Sequence, residues 1–112
     1  MSSLALQIWP ETLRTLAFGA ISGTYAGLGT ASLNPTRLYM LVNDTDGLMT
    51  FSWDGVNDHF VLPPTGQLIF DITSNKTSTS GYFAVPEGTR TYVKGTATSG
   101  SVYLSLFYGK NG

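Results

Sequence analysis

An all-β fold is predicted for this chain: a single-domain antiparallel β-sandwich or jelly-roll-like barrel of about seven to nine short strands. Three observations predict it. Apolar and polar residues alternate with a period of two along most of the sequence, the pattern of half-buried strands. Clusters of Asn, Asp, Gly, Pro, Ser and Thr interrupt these runs at short intervals, as turns do. The chain has 112 residues, 42% of them hydrophobic and only 12% charged. That is the length of one domain with a modest core.

Residues 1–33 form an N-terminal segment that reads either as strands or as an interaction arm. Within it, PETLRTLAFG (10–19) offers a helix: Pro10 near the start, Glu11 in the first turn, Gly19 as a stop. As a strand it alternates only weakly. GAISGTYAGLGTASLNP follows, rich in small residues and nearly uncharged. Extended structure, partly as an arm on a neighbouring surface, is the expectation for this segment. Its only charges are Glu11 and Arg14, set among many large apolar residues. Exposed apolar surface on that scale marks an interaction site, so Trp9, Phe18 and Tyr25 are the candidate interface residues.

Residues 34–112 are expected to form the β-sandwich core. RLYMLVN places Leu38, Met40 and Val42 on one face. LMTFSWDG places Met49, Phe51 and Trp53 together, with Thr50 and Ser52 opposite. Asp54-Gly55 then gives a hairpin signal, because Gly tolerates the positive φ of tight turns. Asp58 is placed to accept backbone N–H groups where the next strand starts. Further strands are expected at 60–62, 67–72, 81–85 and 90–95, separated by PPTG, TSNKTSTSG and PEG. The last run, SVYLSLFYG, puts Val102, Leu104, Leu106 and Tyr108 on one face. The expected core is therefore Leu38, Met40, Val42, Phe51, Trp53, Leu68, Phe70, Val102, Leu104 and Leu106.

Composition excludes several functions. The net charge is −1 and only six residues are Lys or Arg, too few for a long phosphate footprint, so no nucleic acid is expected. There is no Cys, hence no disulfide and no thiolate metal site. No apolar run approaches about 18 residues, so no membrane span is expected. The opening MSSLALQIWPETLR does not read as a signal peptide. The sequons at Asn43 and Asn75 are accordingly read as coincidental.

The stretch 52–71 holds three aspartates and the chain's single histidine. Asp58 and His59 are sequence neighbours, so in a strand they point to opposite faces and are poor catalytic partners. No Gly-x-Ser-x-Gly elbow occurs, and no second His could complete a zinc site. Asp44, Asp46, Asp54 and Asp58 could converge on Ca²⁺, but their spacing is not that of an EF-hand loop. FGAISGTYAGLG lacks the Gly-Lys-Ser/Thr ending of a phosphate loop, and close packing explains its small residues better. Tyr82, Tyr92, Tyr103 and Tyr108, with Trp9 and Trp53, could stack on sugars, although such residues more often fill a core or an interface. No catalytic residue, cofactor or metal is expected.

Three stretches carry a resemblance: ETLRTLAFGAISGTYAGLGT, LVNDTDGLMTFSWDGVNDHFVLPPTGQLIFDITSNKT and VPEGTRTYVKGTATSGSVYLSLFYG. Together they resemble small virion proteins of tailed bacteriophages, over most of the chain. The resemblance implies a β-sandwich subunit of the virion, copied many times, most specifically a head-decoration or cement subunit. Its partners would be the major capsid protein or other virion proteins, with homo-oligomerisation expected. A neck, adaptor or tail component is the alternative within that class. A host-surface carbohydrate-binding module is the rival from another.

Overall fold

A computed structural model describes residues 6–72 and 84–111. Two antiparallel sheets pack face to face in one domain. The first sheet contains β1 (Leu6–Pro10), β2 (Arg14–Ala17), β4 (Thr36–Thr45), β7 (Gln67–Asp71) and β9 (Gly100–Asn111). The second contains β3 (Ala26–Gly27), β5 (Met49–Ser52), β6 (Phe60–Leu62) and β8 (Tyr92–Gly95). The one helical element among the described residues is a 3-10 turn, Phe18–Ala20.

The winding is simple. Strand β2 pairs with β9, β3 with β8, β4 with β7 and β5 with β6. The chain is thus one long hairpin rolled upon itself and closed by the β4–β9 and β5–β8 ladders. This is a jelly roll, as the alternation and turn spacing predicted. The spatial orders are β1-β9-β4-β7, with β2 also on β9, and β3-β8-β5-β6. Strands β1 and β2 lie end to end along the same side of β9.

The buried face of β9 is the predicted one: Val102, Leu104 and Leu106 lie inside. On β5, Met49 and Phe51 are buried, and Trp53 just beyond the strand packs against the core with Leu68 and Phe70 of β7. On β4 the expectation needs correcting. Tyr39, Leu41 and Asn43 point inward, whereas Leu38, Met40 and Val42 form the outer, half-buried face. Alternation misled because the inward row contains an asparagine. Its amide is buried because all of it is used. Asn43 Nδ2 donates to the carbonyls of Gly47, Leu62 and Pro63 at 2.9–3.0 Å, and Oδ1 accepts from Thr45 N and Oγ1. A buried amide without such partners would cost free energy, and this one joins the two sheets at their corner.

A second buried polar group organises the centre. The Tyr39 hydroxyl lies 2.6 Å from Thr91 Oγ1 and accepts a 3.1 Å hydrogen bond from Trp53 Nε1. Its ring sits edge-on to Trp53 at 5.6 Å and tilted against Phe70 at 5.9 Å, favourable aromatic geometries. Burial pushes the Tyr39 phenol above its ordinary value. Tyr39→Phe keeps the ring but strands the Trp53 N–H and the Thr91 hydroxyl. We expect a loss of about 1–3 kcal/mol in urea unfolding, and a change within error would show that the hydroxyl network contributes nothing net.

The N-terminal segment does not form the helix that PETLRTLAFG offers. It runs as β1, a kink at 11–13, and β2. Glu11, placed by helix spacing in a first turn, instead accepts backbone N–H groups from Leu33 and Asn34 at 3.1–3.2 Å. Arg14 pairs with Glu11 at 2.9 Å and reaches the carbonyls of Thr12, Thr30 and Ala31. Both side chains are nearly buried, at 5% and 3% exposure. These two charges pin the 28–34 connection across the first sheet.

The predicted strand at 81–85 falls mostly outside the described residues. Of it, Val85 makes an isolated bridge to Thr36. The 73–81 turn also lies outside them. Strand β9 outruns β4: Thr36 pairs with Tyr108, while β1 pairs as far as Asn111. The β1–β9 end therefore projects as a two-stranded ribbon from a molecule measuring 55 × 23 × 21 Å.

Candidate interaction surface

The acidic middle resolves into separate turns. Ser52 and Asp54 build one turn through their side chains. Asp54 Oδ1 accepts the N–H groups of Val56 and Asn57 at 2.8 Å, and Oδ2 accepts from Asn57 Nδ2. Gly55 stands at φ +75 there. The resulting connection spans 53–59, wider than the tight hairpin turn expected from Asp54-Gly55. Asp46 accepts from the hydroxyl and N–H of Thr98. Asp58 does not cap the next strand as expected; it accepts from the Tyr25 hydroxyl at 2.6 Å and pairs with Lys94 at 3.1 Å. Among the described residues no group of three or more acidic or histidine side chains could hold a metal ion.

His59 is exposed, and its Nδ1 accepts the Trp53 N–H at 2.9 Å. That bond places the neutral ring's proton on Nε2 and makes the histidine a turn residue. Asp58 faces Tyr25 and Lys94 rather than His59. Among the described residues no nucleophile is hydrogen-bonded to His59. A shallow crevice lined by Ser32, Thr36, Tyr39, Val85 and Thr91 has no room for a ligand.

These turn carboxylates have a pH consequence. Hydrogen bonds from Asn57, then from the Val56 N–H, hold Asp54 well below the usual carboxylate value. The Tyr25 hydroxyl, then Lys94, lowers Asp58, and the Thr98 hydroxyl lowers Asp46. Tyr25 is correspondingly pushed up to about 12, by burial first and then by Asp58. A carboxyl whose folded value is depressed stabilises the fold above its unfolded value, here 3.8. That contribution is lost as pH falls further. The urea midpoint should therefore be steady down to about pH 5 and drop below about pH 4. A midpoint unchanged at about pH 2.5 would contradict these bonds.

The glycine-rich segment has a packing reason. Gly27 lies under the Arg90 guanidinium, and Gly29 lies under the Arg14 side chain, where any Cβ would collide. Gly29 also sits at φ +70, a region that costs little only for glycine. Arg90 Nε closes the arrangement by donating to Gly29 O at 2.8 Å. The sequence reading missed this role of Arg14. Its signal was present: two opposite charges, three residues apart, isolated in an otherwise uncharged segment.

The three candidate interface residues do not form one patch. Trp9 is 43% exposed on β1, opposite Tyr108, with the Lys110 ammonium 5.2 Å from its ring centre. Phe18 is 38% exposed just past the other end of β2, where Ala17 pairs with Ser101. Strand rise separates them by about 25 Å. Tyr25 is half-buried on the edge of the second sheet, under Lys94. The aromatic residues considered for sugar stacking are also divided. Trp53 is half-buried against the core, Tyr103 is on the outer face of the first sheet, Tyr92 lies beside Arg90, and Tyr82 falls outside the described residues.

Exposed apolar surface lies elsewhere as well. Ile8, Leu13 and Ile69 are each about half exposed, at 49%, 52% and 48%. Ile8, Trp9, Leu13 and Phe18 follow one another along the edge strands of the first sheet, with Ile8 and Trp9 on its opposite faces.

What defines this chain, then, is a small jelly roll whose polar side chains serve turns and whose apolar residues reach the surface. No family model matches it, and no curated protein matches it. Among solved structures it is similar to a chain described under "Bacillus endospore appendages form a novel family of disulfide-linked pili". The identity is 16%, covering 99% of this chain and 98% of that one, with a TM-score of 0.43. So loose a similarity carries no functional argument, and this chain has no cysteine with which to form a disulfide. None of the comparisons supports the resemblance to phage virion proteins.

Proposed function

We propose that this chain is a non-enzymatic structural subunit of a repeated protein assembly. The observation that carries this reading is the row Ile8, Trp9, Leu13 and Phe18, all between 38% and 52% exposed along one edge of a 112-residue domain. Apolar surface of this kind is expected where a neighbouring subunit covers it. The finer form of the proposal is a head-decoration or cement subunit that binds the major capsid protein of a bacteriophage virion. It rests on the three resembling stretches and on a winding also used by capsid domains, and a winding alone does not decide function. In such a particle each subunit buries a limited patch and symmetry repeats the gain.

The test is to tag the chain after residue 112, produce it in its own host and fractionate the lysate on a density gradient. The proposal expects it to co-sediment with regular particles in many copies. A chain that stays at the top as a free subunit, in cells that hold such particles, would overturn the proposal. Particles other than virions would remove the finer form and keep the coarser one.

A further inference from the structure

The two sheets treat their outer faces differently. The second sheet turns Thr50 and Lys94 outward, opposite each other on β5 and β8, as a solvated face does. The first sheet turns out Leu38, Met40 and Val42 from β4, Tyr103 and Phe107 from β9, and Ile69 from β7. Directly paired residues share a face, so Met40 meets Ile69, Leu38 meets Phe107, and Val42 meets Tyr103. Ile8 continues the row onto the ribbon opposite Gly109. Among the residues paired in these ladders the face carries no Lys or Arg, and its ionic side chains are Asp44 and Asp71. The outer row of β4 from Leu38 to Val42 is thus apolar, unlike the outer face of a solvated sheet.

We infer that this outer face is the self-association face, covered by the same face of a second copy. The inference rests on the structural-subunit reading above. Size favours this occupant. Four strand positions across and about nine residues along give roughly 20 by 30 Å, or about 600 Å² in projection. Side-chain relief raises that towards the roughly 800 Å² per partner of a standard interface. A two-fold axis that reverses strand direction lays this face over itself and repeats the contact by symmetry. Two sheets packed in this way reproduce the sandwich interior, with a spacing of about 10 Å.

Sedimentation equilibrium of the full chain tests this. The native protein should be a reversible dimer at about 100 μM, with a dissociation constant in the micromolar range. Met40→Glu and Ile69→Glu should each weaken it at least about tenfold, with unfolding midpoints close to native for Ile69→Glu because that side chain is already half exposed. Val61→Glu, on the outer face of the second sheet and 55% exposed, should dimerise like the native chain. A native chain monomeric at that concentration overturns the inference, including the case in which a different protein then binds the face; the structural-subunit proposal would survive that result. Dimers insensitive to Ile69→Glu, or lost equally in Val61→Glu, also overturn it.

Discussion

Arg14→Ala is expected to lower folding stability by about 3–5 kcal/mol, one of the two largest single-residue effects in this chain. The side chain is 5% exposed, so its charge is withdrawn from water and held by protein groups alone. Removing it leaves the Glu11 carboxylate, 3% exposed, without its cation. It also strands the carbonyls of Thr12, Thr30 and Ala31, and opens space above Gly29. The main loss is of a buried, formerly paired carboxylate, the situation in which deletion costs most. Arg14→Lys should recover only part of the loss, because an ammonium cannot match the planar fork that here serves five acceptors. Urea unfolding measures this directly. A change below about 1 kcal/mol would mean that the pair is solvated and that the 28–34 connection is held by something else.

Leu104→Ala should cost about 2–5 kcal/mol. Leu104 is 2% exposed on β9, paired with Leu41 on one side and Arg14 on the other. It fills the middle of the space between the sheets with Phe51, Val93 and Val102. The truncation removes apolar contacts and leaves a cavity that close-packed neighbours fill incompletely. A shift of the unfolding midpoint within error would place Leu104 on the wrong face and reverse the assignment for the whole of β9, because strand parity is two.

Most of the strands were legible in the sequence because their signal is local. Phe60–Leu62 lies where the apolar run predicts, and Gln67–Asp71 stops one residue short of it. Where signals conflicted, the reading failed for physical reasons. On β4 the row Leu38, Met40 and Val42 is wholly apolar while the inward row contains Asn43, so alternation favoured the wrong row. The decision belonged to Asn43, whose inward position depends on carbonyls that arrive from Gly47, Leu62 and Pro63. The Glu11–Arg14 spacing suits a helix and a kinked strand equally, and what separates them is Asn34, twenty-three residues away. The interface residues were chosen for size alone. Trp9 and Phe18 did prove exposed, but sequence holds no information about the register that sets them at opposite ends of β9.

The misread face of β4 is itself informative. Leu38, Met40 and Val42 read as core residues because their composition is that of residues sealed from water. They are half-buried in a single copy, and a second layer over them would complete what the sequence suggests. The apolar edge from Ile8 to Phe18 makes the same demand of a neighbour.

Electron cryo-microscopy of the intact assembly, at a resolution that traces side chains, tests this account most directly. The account predicts a map in which many copies of the jelly roll repeat. The edge bearing Ile8, Trp9, Leu13 and Phe18 should be buried against a neighbour, and the Met40–Ile69 face should be closed by a second copy. A map in which both surfaces face solvent, with contacts made instead through the 53–59 and 96–99 turns, would contradict it.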